Sequence, residues 1–197
     1  MVDRFIGGCL AFMIRRGAVA DTAEQREIYS YGLELQVYYF IHAAMLLFIG
    51  LLFGRSGEVA LLLLLFGLIQ SNGGGFHAGT HGRCLALMAA GAALFLLVLP
   101  LFERYALLQA ASVHFGAAVT LALAPVSHKN HPLSPEKSKE LGKRAKLLAC
   151  AVSFIWGILA LAGVLPVVRG VASAAMLFTG VSILAAWARR GCLKEHS

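Results

Sequence analysis

The chain has 197 residues, 59% of them hydrophobic and only 14% charged, with 17 Lys and Arg against 10 Asp and Glu. That leaves too little polar surface to wrap a water-soluble globule of this size, and too little charge for a disordered chain. Four cysteines without regular spacing exclude a disulfide-stapled scaffold. The composition therefore predicts an all-α integral membrane protein, a single membrane domain over residues 1–197. Its architecture is a polytopic bundle of about six transmembrane helices plus an N-terminal amphipathic interfacial helix.

That first helix falls in residues 1–20. Val2, Phe5, Ile6, Cys9, Leu10, Met13 and Ile14 recur at helical spacing, with Asp3, Arg4, Arg15 and Arg16 around them. Such a stripe suits the surface of a leaflet, where arginines meet anionic lipid, and equally suits packing against the protein's own bundle. It does not read as a cleavable signal peptide, because the apolar part is short and no small-residue cleavage site follows. Asp21 or Thr22 caps the next helix, with Thr22 and Gln25 at capping-box spacing. Tyr29, Tyr31, Tyr38 and Tyr39 along it suit the headgroup level.

The predicted spans are 33–53, 56–71, 84–102, 105–124, 147–168 and 170–188. The first is about 31 Å long as a helix, which matches a hydrocarbon core of roughly 30 Å. The second is anomalous, because its uninterrupted apolar run covers only 59–69. It must borrow flanking residues such as Ser56 and Ser71, thin the bilayer, or end inside the membrane in protein-lined surroundings. Six crossings follow, with four crossings plus re-entrant pieces as the alternative. Between the fourth and fifth lies a basic loop, 125–146, in which Ser134 and Pro135 form an N-cap followed by proline at the first helical position. The helix it starts carries Lys137, Lys139, Lys143, Arg144 and Lys146 in its first turns.

With six crossings, all cations but Arg55, Arg104 and Arg169 fall on one side, together with both termini and the loop 70–84. The positive-inside rule makes that side cytoplasmic.

The chemistry concentrates in residues 70–84. Gly73, Gly74, Gly75, Gly79 and Gly82 share this segment with His77, His81 and Cys84. Glycines let backbone turn tightly or approach another chain closely. Cys84 stands where the next helix begins, so unpaired N–H groups, the positive end of the helix dipole and neighbouring Arg83 all favour its thiolate. The same N–H groups suit the oxyanion formed when a thiolate attacks a carbonyl. His77 is then the general base and the proton donor to the leaving amine. In an unbroken helix seven residues separate by roughly 10 Å of rise, so the pairing requires a non-helical chain between His77 and Cys84.

Other readings stay open. Cysteines in membrane helices are commonly small packing residues, which is the reading for Cys9, Cys150 and Cys192. His77, His81 and Cys84 at i, i+4 and i+7 are also the spacing of a metal site on a regular helix. A small membrane transporter would need charged or polar groups inside its spans, and these hold few, chiefly His42, Gln109, His114 and, at an edge, Glu34. The two span histidines read as packing residues.

Gly74-Gly75-Phe76-His77-Ala78, with Cys84 seven residues after the histidine, resembles the accessory gene regulator B (AgrB) family of membrane cysteine endopeptidases. Residues 27–34, Ala124-Pro125-Val126 and Asn130-His131-Pro132-Leu133-Ser134 are similar to the family's first-span entry and its proline-containing loop. The resemblance implies that His77 and Cys84 are the catalytic pair. Gly74, Gly75 and Arg83 then belong to a substrate or oxyanion loop, and Gln70, Asn72 and Glu34 are candidates to orient His77. Where family members often carry basic residues, this chain has Gln70 and Ser71. The resemblance also implies quorum-sensing function, an AgrD-like propeptide as substrate, contact with membrane lipids, a homodimer, no nucleic-acid partner and no metal or cofactor. The propeptide would be cleaved through a Cys84 thioester and cyclised to a thiolactone. Its acidic tail would be drawn to Lys137, Lys139, Lys143, Arg144 and Lys146, residues that also serve simply to keep their loop inside.

Overall fold

The computed structural model describes residues 2–76, 80–126 and 134–194. Seven helices and no strands occur among them: α1 (Val2–Arg15), α2 (Ala23–Leu52), α3 (Ser56–Gly73), α4 (His81–Arg104), α5 (Ala106–Leu123), α6 (Pro135–Leu161) and α7 (Pro166–Lys194). Six of them, α2 to α7, are long and apolar enough to cross a membrane, which makes this a multi-pass helical membrane bundle. The chain divides into two compact units, Met1–Leu46 and Leu47–Ser197, with the division inside α2.

In the first unit, Ile6 and Leu10 are buried one turn apart on α1, while Phe5 and Phe12 stay exposed. A groove of about 660 Å³ runs between the two helices, lined by Arg4, Phe5, Gly8, Cys9, Phe12, Met13 and Leu33. The cap of α2 falls to Thr22, whose Oγ1 accepts from the Gln25 N–H at 3.3 Å. Asp21 instead takes the Arg26 guanidinium at 2.5 Å, and that hydrogen bond holds its carboxyl below the usual range. His42 uses Nδ1 against the Tyr38 carbonyl of its own helix.

The second unit is built around α7. Val171, Ala174, Ala175, Met176, Thr179 and Ile183 on this helix are all buried. Small residues let its neighbours come close: a Cβ on Gly116 of α5 would lie 2.1 Å from the Met176 carbonyl oxygen. Close backbone contact of this kind is how membrane helices gain dispersion energy where no hydrophobic effect separates them from lipid. Hydroxyls in the interior are satisfied locally, since Thr120, Ser153, Ser173 and Thr179 each donate to the carbonyl four residues back at 2.7–2.8 Å. His114 does likewise through Nδ1 to Ala110 and meets Trp156 edge-on.

The short second span resolves by borrowing. Helix α3 takes in Ser56 at one end and Ser71 at the other, about 27 Å in all. It is separated from α2 by a tight turn in which Gly54, at φ +66°, allows the Arg55 N–H to reach back to the Gly50 carbonyl at 2.8 Å. Arg55 then pairs with Glu103 of α4 at 2.6 Å and faces Glu58 at 3.6 Å. Gln109 Nε2 donates to the Phe102 carbonyl, one of the acceptors left open where α4 ends.

Candidate functional site

Because Arg55 and Glu103 join the start of α3 to the finish of α4, the finish of α3 and the start of α4 lie at the opposite end of the second unit. The last turn of α5, the first turns of α6 and the last turns of α7 reach the same end, and most of the candidate residues are there.

Helix α3 stops at Gly73. Gly74 adopts φ 70° and ψ 179°, a conformation essentially restricted to glycine. A Cβ there would also fall 2.2 Å from the Val126 carbonyl oxygen. The Gly74 N–H donates to the Gln70 carbonyl at 3.0 Å, and the Val126 N–H donates to the Gly73 carbonyl at 2.9 Å. The chain leaving α3 is thus tied to the segment after α5, where the Ala124–Pro125 bond is cis. Gly75 is buried and lies against Gln70; its Cβ would come 1.6 Å from Gln70 Nε2. The Phe76 N–H donates to Ser182 Oγ at 3.0 Å, Gln70 Nε2 donates to the same oxygen at 2.8 Å, and the Phe76 ring lies under the Arg189 guanidinium at 5.5 Å. Four residues, Gly73 to Phe76, are therefore anchored from α3, α7 and the α5–α6 connection together. His77, the next residue, lies outside the described residues, as do Ala78 and Gly79.

The chain resumes at Thr80, whose extended backbone and side chain cap α4. Its Oγ1 accepts from the Arg83 N–H at 3.3 Å and its carbonyl from the Cys84 N–H at 3.0 Å. His81 to Cys84 are consequently helical, against the expectation of a non-helical chain right up to Cys84. The reason is local: a threonine with extended backbone can supply acceptors to the first turn. Cys84, a free and half-buried thiol, sits in that first turn, and Arg83 is exposed beside it. The amides of His81 and Gly82 are those a helix start leaves without an intrahelical acceptor. Helix α4 begins after Thr80 and carries His81 and Cys84. Among the described residues no group of three His, Cys, Asp or Glu side chains could hold a metal.

The remaining candidates separate clearly. Asn72 turns back on its own helix, donating to the Leu68 carbonyl at 2.8 Å and to Ser71, whereas Gln70 joins the anchoring of the loop. Glu34 is half-buried on α2 in the first unit. Ser134 caps α6 as its sequence predicts, accepting from the Lys137 N–H at 3.3 Å with Pro135 beginning the helix. Asn130, His131, Pro132 and Leu133 fall outside the described residues. Of the five cations on α6, Lys139, Lys143 and Lys146 line a groove of about 440 Å³ whose floor is Ala124, Pro125 and Gly142. Arg144 is paired with Glu140 at 2.5 Å, and Lys137 is exposed. Sequence reasoning missed Ser182, Arg189 and the Val126 backbone as partners of the glycine loop; nothing local in α7 or the loop before α6 signals a contact more than fifty residues away.

No curated protein and no solved structure matches the chain. The family model for accessory gene regulator B matches residues 9–187, which takes in the anchored loop, the start of α4 and the basic groove. The chain is a member of the accessory gene regulator B family, and its function lies in the processing of a quorum-sensing propeptide.

Proposed function

We propose that the protein is a membrane-embedded cysteine endopeptidase in which Cys84 and His77 cleave an AgrD-like propeptide and return it as a thiolactone. The observation that carries this reading is the placement of Cys84 in the first turn of α4, at the end of the bundle where the anchored glycine segment delivers the chain into His77. Helix starts favour thiolate and present N–H groups to a developing oxyanion.

In the proposed reaction His77 takes the proton from Cys84. The sulfur attacks the scissile carbonyl, and a C–S bond forms as the C–N bond breaks. The leaving amine departs with the proton from the imidazolium, and a thioester remains on Cys84. His77, neutral again, takes the proton from a thiol within the bound acyl fragment. That sulfur attacks the thioester, the ring C–S bond forms as the bond to Cys84 breaks, and the Cys84 thiolate leaves beside the imidazolium. Exchange between thioesters is nearly isoenergetic, so exclusion of water is what favours ring closure over hydrolysis. The acidic tail of the propeptide docks in the groove of Lys139, Lys143 and Lys146, and the cationic end of the bundle faces the cytoplasm. Arg144, already neutralised by Glu140, contributes less.

Reconstitution with a propeptide tests the reading. Cleavage should be lost in Cys84→Ala and should fall by about a thousandfold or more in His77→Ala, the scale of a general base combined with nucleophile activation. Wild-type rates in either variant would exclude the assignment.

A further inference from the structure

Ser182 behaves unlike the other hydroxyl side chains of α7. Ser173 and Thr179 donate to carbonyls of their own helix, at 2.7 and 2.8 Å, the ordinary way a membrane helix satisfies a hydroxyl. Ser182 Oγ instead accepts two hydrogen bonds from outside α7: the Phe76 N–H at 3.0 Å and Gln70 Nε2 at 2.8 Å. Two turns further on, Arg189 covers the Phe76 ring. Gln70 is confined from the other side by Gly75, which has no side chain to displace the amide.

Resting on the catalytic reading of His77, we propose that Ser182 is a positioning residue that holds, from the last helix, the backbone leading into that histidine. Phe76 is bonded directly to His77, and neighbouring Cα atoms are held about 3.8 Å apart. An acceptor that holds the Phe76 N–H therefore limits how far the following residue can stray. The other ties on this segment, Gly74 to Gln70 and Val126 to Gly73, act two and three residues upstream, so Ser182 is the hydrogen-bond anchor nearest the histidine among those described. Gln70 strengthens the arrangement by holding the same oxygen from α3. The half-buried Ser182 thus acts on the chemistry through the Phe76 backbone.

The test uses full-length protein in lipid vesicles, with two readouts. The first is propeptide cleavage as separate kcat and KM. The second is the pH dependence of Cys84 alkylation by iodoacetamide, followed by mass spectrometry on the peptide that contains it. Ser182→Ala should lower kcat about ten- to a hundredfold, the range expected when a catalytic group is displaced by about an ångström, with KM changed less than about twofold. Its alkylation midpoint should move part of the way toward that of His77→Ala, and the Phe76 amide should exchange hydrogen faster than in wild type. Ser182→Thr, which keeps the oxygen, should restore both midpoint and kcat. If Ser182→Ala matches wild type in kcat and midpoint while His77→Ala is displaced in both, the positioning role is overturned and the catalytic pair stands. If His77→Ala itself leaves kcat and midpoint unchanged, the catalytic reading falls and this proposal falls with it.

Discussion

The two ends of the second unit solve the same problem, how to finish helices in or near a membrane, in opposite ways. At one end charges answer each other: Arg55 bridges Glu103 and Glu58, Gln109 serves the Phe102 carbonyl, and a single residue, Tyr105, separates α4 from α5. At the other end α3 runs into glycines held by distant partners, Val126 and Ser182, and the cations of α6 outnumber their acids. The first end joins α3 to α4 through the ion pairs of Arg55. The second spends its hydrogen bonds on holding a loop in place and leaves positive charge facing outward, the arrangement expected of the end that receives a substrate.

The difference can be broken most severely at Gly74. Gly74→Ala forces a side chain into a glycine-only conformation and toward the Val126 carbonyl, so cleavage should fall at least about a hundredfold, measured in vesicles against equal amounts of folded protein. Gly75→Ala acts differently, because its methyl group meets the end of the Gln70 side chain rather than backbone. Its damage should be partly relieved by a second change, Gln70→Ala, and a double-mutant cycle on kcat should show that coupling. Additive losses would show that the Gln70 amide does not dictate glycine at position 75.

A smaller effect is expected in the groove. Changing Lys139, Lys143 and Lys146 together to Gln should raise KM about tenfold at low salt and flatten its salt dependence, while Arg144→Gln changes KM little. Equal effects from both would show that the groove does not distinguish among these cations. At the Arg55 end, Glu103→Gln should lower thermal stability by only about 1 kcal/mol and leave kcat unchanged.

The smallest effect concerns Asp21, outside the bundle's second unit. Arg26 holds its carboxyl below the usual range, so its stabilising contribution is present above the ordinary carboxylate pKa of roughly 4. It is lost as the pH falls through the lowered value. Wild type and Asp21→Asn should therefore converge in stability in strong acid.

What the sequence made legible follows from how local each cause is. Apolar runs were enough to place six long helices, and the Ser134–Pro135 pair located the start of α6, because burial in lipid and end-capping act within a few residues. Thr22 and Asp21 were ambiguous on paper because both are good caps; the ion pair to Arg26 settles which one is free to cap. The helical turn from His81 to Cys84 was missed even though Thr80 carried its signal, since the surrounding glycines argued for open loop. Ser182 was illegible for a different reason. A serine in an apolar span reads the same whether it bonds its own helix, as Ser173 does, or a loop more than a hundred residues away. Only the packing of α7 against α3 distinguishes them.

The central claim is covalent, so the most direct measurement is rapid acid quenching of reconstituted protein during turnover, followed by mass analysis of the Cys84 peptide. The expected result is an acyl adduct of the propeptide's N-terminal fragment on Cys84, released by neutral hydroxylamine and absent from Cys84→Ala. Continued cleavage by Cys84→Ala, or an adduct found on another residue, would contradict the account.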